Sequence, residues 1–201
     1  LSFKRMARLT LLAVVPGLVV ALSIPANGAD KPSPAMMEKQ KKMMQKQMQA
    51  MKPELRAKVK ALAPETRQLL VRVISQHTRR SQDATMRQVM QEILGDYQRI
   101  VAGIVTDNKE VTAESALSLA NHRIPKGGML PYLRHEDITD EKIGSLAGFN
   151  DSVEGSAKKL AEAARAGDMA TAASHLTTIV SGCVGCHKVF RGVPGESQWL
   201  N

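Results

Sequence analysis

A chain of 201 residues with 43% hydrophobic side chains can close one ordinary core with segments to spare. Aromatic residues make up only 3%, so that core lacks bulky filling of its own, and a buried planar group would supply it. The formal charge of +9 does not describe the whole chain: residues 83–201 hold twelve Lys/Arg against fifteen Asp/Glu, which excludes nucleic-acid binding by that part as the meaning of the basic balance.

Residues 1–29 read as a signal peptide. Lys4, Arg5 and Arg8 precede an apolar run from Leu9 to Pro25, and the small-residue stretch Ala26-Asn27-Gly28-Ala29 follows it. The run is short for a membrane span and carries Pro16 and Gly17 at its middle, so the expectation is a cleaved signal and a periplasmic protein.

Residues 30–82 hold thirteen Lys/Arg against four Asp/Glu and read as a basic, Met/Lys/Gln-rich N-terminal extension with helical segments. Met37, Met44, Met48 and Met51 are spaced by seven, four and three residues, one apolar stripe on a helix that packs on the domain or on a partner. Beside Lys39, Lys41, Lys42 and Lys46 the stripe also suits an acidic partner or an anionic membrane surface. The pair Met48 and Met51 permits copper(I) capture by soft thioethers. A further helical stretch from Pro64 to about Arg80 carries Leu69, Leu70, Val73 and Ile74.

Residues 83–191 are expected to form an all-α unit, an antiparallel up-and-down four-helix bundle. The first helix, capped by Ser81 or Asp83, sets Met86, Met90, Ile93, Tyr97, Ile100 and Ile104 at three- and four-residue steps. The second runs from about Glu110 to His122 with Ala113, Ala116, Leu117 and Ala120 on one face. The third runs from about Asp140 to Ala166, with Ile143, Leu146, Val153, Leu160 and Ala164 inward, and stops at Gly167. The fourth, capped by Asp168, aligns Ala172, Leu176, Ile179, Val180, Cys183, His187 and Phe190 in a stripe expected to be buried. Residues 192–201 read as an irregular tail, with Trp199 a candidate cover for apolar surface.

The chemistry lies in the last helix. Cys183-Val184-Gly185-Cys186-His187 is C-x-x-C-H, the attachment signal for haem c: two thiols add to the porphyrin vinyl groups and the adjacent imidazole binds the iron. Positions i, i+3 and i+4 share a helix face, so Cys183, Cys186 and His187 can meet one flat macrocycle. A zinc site would need two more ligands, and His77, His122, His135 and His175 show no paired spacing. His77 and His122 read as ordinary surface histidines. A redox-active C-x-x-C normally opens a helix after a strand, whereas this one lies deep in a helical pattern.

The longer run C183-V-G-C-H187-K-V-F190-R191 resembles the class II c-type cytochromes, the cytochrome c-prime family. A166-G167-D168 opens the final helix as in that family, and Ile143 and Phe149 have the spacing of the family's usual Trp and Phe, with Ile143 a departure. The likeness covers about residues 83–191. It implies one haem per chain, a homodimer, and one of two uses: electron carriage between redox partner proteins, or binding of nitric oxide or carbon monoxide at a five-coordinate iron. In the family's low-spin branch a first-helix Met is the sixth ligand, which implies Met90, although Arg87 precedes it by three residues rather than the usual four. Met86 is the reserve, and an ungapped count lands on Gln91, on the polar face. The resemblance also places Arg191 near a haem propionate. Electron carriage is the expected function, and no enzyme activity is expected, because the first helix offers no distal acid or base.

Overall fold

Prolines open the first three helices, because the first turn has no use for a backbone N–H and proline arrives with a helical φ. The computed structural model describes residues 33–190, 192 and 194–201, and the expected signal at 1–29 and Arg191 lie outside the described residues. Helix α1 spans Pro34–Ala50, α2 Pro53–Ala61 and α3 Pro64–Ser75. Helix α4 (Met86–Val105) is capped by Thr85, not by Ser81 or Asp83. Thr85 Oγ1 accepts from the Gln88 N–H while Gln88 Oε1 accepts from the Thr85 N–H at 2.8 Å, a reciprocal capping box. Helix α5 (Lys109–Ala120) starts at Asn108, whose side chain accepts from the Val111 N–H at 3.0 Å.

The helix expected over 140–166 is irregular along its length. It is divided into α6 (Asp140–Gly144), α7 (Leu146–Asn150), one π turn at Asp151–Gly155 and α8 (Ser156–Arg165). The run holds Gly144, Ser145, Gly148, Asn150 and Gly155, all weak helix formers, and the Ser145 hydroxyl turns back to donate to Lys142 O at 2.7 Å. In the π turn the Ser156 N–H reaches Asp151 O, five residues back. The widened turn shifts the register and carries Glu154 inward, where it is 7% exposed. Helix α9 (Met169–Val189) follows. Among the described residues all regular structure is helical, beside two isolated bridges, Met51–Leu200 and Arg80–Ile124. No helix among them is long and apolar enough to cross a membrane.

Helix α4 packs on α5, α5 on α8 and α8 on α9, whereas α4 and α9 meet only sparingly. Small side chains let α5 and α8 approach: Ala113, Ala116 and Ala120 share a buried cluster with Ala157, Ala161 and Ala164, closed by Ile100, Leu119, Leu160 and Ile179. The buried line of α4 is Val89, Asp96, Ile100 and Gly103, not the expected methionine stripe. Gly103 explains the turn of the helix, since it admits Thr112 of α5, whose Oγ1 donates to Asn108 O at 2.7 Å. Asp96 is buried and paired with Arg99. Met86, Met90, Ile93, Tyr97 and Ile104 are left half-buried on one flank.

A second cluster joins Met51, Leu55, Val59, Leu62 and Leu70 to Leu130, Leu133, Ile138, Ile143, Leu146 and Phe190. The stretch from Met51 to Leu70, expected as part of an extension, therefore shares a core with residues 130–190. Met44 and Met48 pack against that core and Met51 is 2% exposed, so those three thioethers serve packing, whereas Met37 of the same stripe is exposed. The tail returns to the same place: Lys52 N–H donates to Trp199 O at 2.8 Å, Asn201 N–H donates to Ala50 O at 2.9 Å, and Trp199 packs on the cluster as a cover.

Candidate functional site

Helix α9 is positioned by its first turn. Gly167, at φ +80°, adopts the left-handed conformation that ends the preceding helix. Asp168 then caps α9, accepting from the Thr171 N–H at 2.9 Å and from its hydroxyl at 2.6 Å, and these bonds hold its carboxyl below the ordinary range. The helix continues to Val189 without a break, so Cys183, Cys186 and His187 do stand on one helix.

Their burial differs from the expected stripe. Ala172, Ile179 and Gly182 form the buried line, Leu176, Cys183 and Cys186 are half-buried, and Val180, Val184 and His187 are exposed. The glycines are the cause. A Cβ on Gly182 would stand 2.8 Å from Val153 Cγ2 and 2.9 Å from Ser152 Cβ, and one on Gly185 would stand 3.0 Å from Phe149 Cε1. Helix α9 thus lays its glycine side against residues 149–153, which turns His187 and Val180 away from the core. Phe149 in turn meets Phe190 edge-on at 6.3 Å, and Ile143 is fully buried.

Both cysteines are free. Burial pushes the Cys183 thiol up, and burial with the neighbouring Cys183 pushes Cys186 up to about 11. Cys183 packs on the cluster around Ile100 and Ile179, Cys186 on the cluster around Leu146 and Phe190, so the pair bridges the two. Met90 stands on α4, half-buried and in neither cluster, and Met86 does the same; Gln91 is exposed, as expected. The structure gathers the two thiols and the imidazole on one helix and leaves Met90 on another.

Two thiols and an imidazole are the donor types that hold haem c. The two thiols and the exposed imidazole share α9 with the exposed Val180 and Val184 and the half-buried Leu176, and α4 bears the half-buried Met86 and Met90 and the exposed Leu94.

A second constellation was not legible beforehand. His77 is 3% exposed and His122 is half-buried, so they are not surface histidines; they meet Glu154 of the π turn. His77 Nε2 lies 3.1 Å and His122 Nε2 3.4 Å from Glu154 Oε1, and the two rings stand 4.4 Å apart. Burial would raise the Glu154 carboxyl, but His122 and His77 beside it outweigh that and hold it below the usual carboxylate range. The three residues come from far apart in the chain, and the one local hint is that each histidine follows a helix end, after α3 and after α5.

Comparison with protein-family models, with curated proteins and with solved structures gives no match.

Proposed function

We propose that this chain is an exported c-type cytochrome that carries electrons through one haem c. In this reading α4, α5, the α6–α8 run and α9 form an antiparallel up-and-down four-helix bundle. The observation that carries it is the placement of Cys183, Cys186 and His187 on one unbroken helix beside an uncovered apolar flank. The thiol sulfurs of Cys183 and Cys186 hold the macrocycle as thioethers and the His187 imidazole binds the iron. The haem supplies one-electron iron chemistry. Leu176, Val180 and Val184 would keep water from the bound haem, and Met90 of α4 would supply a further ligand to its iron.

Such a protein needs redox partners and no substrate pocket. Lys39, Lys41, Lys42 and Lys46 are exposed on α1, where they suit an acidic redox partner, while Met44 and Met48 hold the helix to the core. A five-coordinate haem that binds nitric oxide or carbon monoxide is the second reading, favoured by the separation of Met90 onto a helix that α9 barely touches. Absorption spectra of the oxidised and reduced protein, with and without carbon monoxide, decide between them. A low-spin spectrum unchanged by carbon monoxide, becoming high-spin in Met90→Ala, is the carrier's result; a wild type already high-spin and carbon-monoxide-sensitive gives the site to gas binding.

A further inference from the structure

We infer that His77, His122 and Glu154 form a binding site for a divalent transition metal of the zinc class, separate from Cys183, Cys186 and His187. The inference starts from the ring nitrogens. His77 Nδ1 lies 3.1 Å from Val73 O and His122 Nδ1 lies 2.9 Å from Arg123 O. A carbonyl can only accept, so both Nδ1 atoms carry the proton and donate it. In the neutral ring that leaves a lone pair on each Nε2, and both Nε2 atoms point at the same carboxylate oxygen, Glu154 Oε1.

In that tautomer three lone pairs converge on one point. One divalent cation satisfies all three groups at once.

The spacing agrees with that. Tetrahedral zinc, with bonds of about 2.0–2.2 Å, separates neighbouring ligand atoms by about 3.4 Å. The two measured separations to Glu154 Oε1 are 3.1 and 3.4 Å, and all the ligand atoms lie within 4.8 Å of one another. Each histidine already has the backbone carbonyl partner that fixes the tautomer of a metal-binding imidazole. An independent observation comes from the other carboxylate oxygen: Glu154 Oε2 is buried and has no hydrogen-bond partner, although the residue is 93% buried by its 7% exposure. A metal that takes the carboxylate through both oxygens gives Oε2 a partner. Two imidazoles and a carboxylate suit zinc, and cobalt(II) as its spectroscopic substitute.

The site would tie three elements together: the end of α3, the end of α5 and the π turn. It also explains why that turn is wound wide, since the π register is what brings Glu154 inward. The turn's Ser152 and Val153 are the residues in contact with Gly182, one position before Cys183, so the metal would brace the segment on which α9 rests.

The test uses the full-length chain stripped with a chelator, in a Cys183→Ser, Cys186→Ser background that removes thiol binding, and titrated with zinc alone. The expected result is one zinc per chain, a higher unfolding temperature with zinc, and cobalt(II) absorption typical of tetrahedral nitrogen and oxygen ligands. Glu154→Gln and His122→Ala should each weaken zinc by more than the roughly 10–100-fold that loss of an outer partner costs. His175→Ala, outside the cluster, should bind as the parent does. Far-UV circular dichroism without metal shows whether each variant is folded, and His77→Gln serves in place of any that is not. No stoichiometric zinc on the parent, or zinc retained at parental affinity by folded Glu154→Gln and His122→Ala, overturns the assignment.

Discussion

Gly182→Ala probes how α9 is seated. The new Cβ would lie 2.8 Å from Val153 Cγ2, 2.9 Å from Ser152 Cβ and 3.4 Å from the Ser152 carbonyl carbon. Ordinary carbon contacts sit at about 3.5–4.0 Å, so the π turn or α9 must move by roughly 0.7–1.2 Å. Overpacking of that kind costs about 1–3 kcal/mol. Alanine also gains about 0.8–1.0 kcal/mol over glycine in a helix interior, which conceals part of the cost. Gly95→Ala removes this ambiguity. It lies inside α4 with nothing within 4 Å of its added Cβ, so it gains the propensity and meets no clash. The difference between the two variants therefore isolates the overpacking, and Gly182→Ala should be less stable than Gly95→Ala by about 1–3 kcal/mol. Guanidinium unfolding of both, with midpoints and slopes compared, measures it. Equal stability, or a more stable Gly182→Ala, would refute the seating of α9 on residues 152–153.

Leu55→Ala should destabilise the whole chain by about 2–5 kcal/mol in a single unfolding transition, because Leu55 is fully buried in the core shared with Ile143 and Phe190; a loss confined to a separate early transition would return it to an appended arm. Lys142, against burial and aided by Arg134, holds the Asp137 carboxyl below its ordinary range, so its stabilisation is present above the unfolded value of about 3.9 and is lost as the pH falls through the lower folded value. Asp137→Asn should accordingly cost more stability at pH 7 than at pH 3, measured by thermal unfolding in the two buffers. In the haem-free chain the thiols should alkylate slowly at neutral pH, with the Cys186 rate still rising toward about pH 11, followed by iodoacetamide labelling and peptide mass; a plateau by pH 8 would contradict the burial of that thiol.

Spacing alone made α4, α5 and α9 legible, because each has long apolar periodicity and a polar cap, with Gly167 and Asp168 marking the start of α9. The register of α4 was not legible: its contact with α5 is made by Gly103 and its buried line includes Asp96, and neither residue registers as apolar. Residues 51–70 looked like an extension because Lys and Gln on the outer faces outnumber Leu55, Val59, Leu62 and Leu70, the few side chains that do the packing. The thiols and His187 were found by a local motif. His77, His122 and Glu154 had none to offer, since their meeting depends on a π turn and on long-range packing.

The proposed covalent attachment of haem to Cys183 and Cys186 can be tested directly. Protein purified from a host that matures haem c, run on a denaturing gel and stained for haem, tests it. The account predicts a stained band for the wild-type chain and none for the Cys183→Ser, Cys186→Ser double variant at equal protein load. An unstained wild type, or a double variant that stains as strongly, would contradict it.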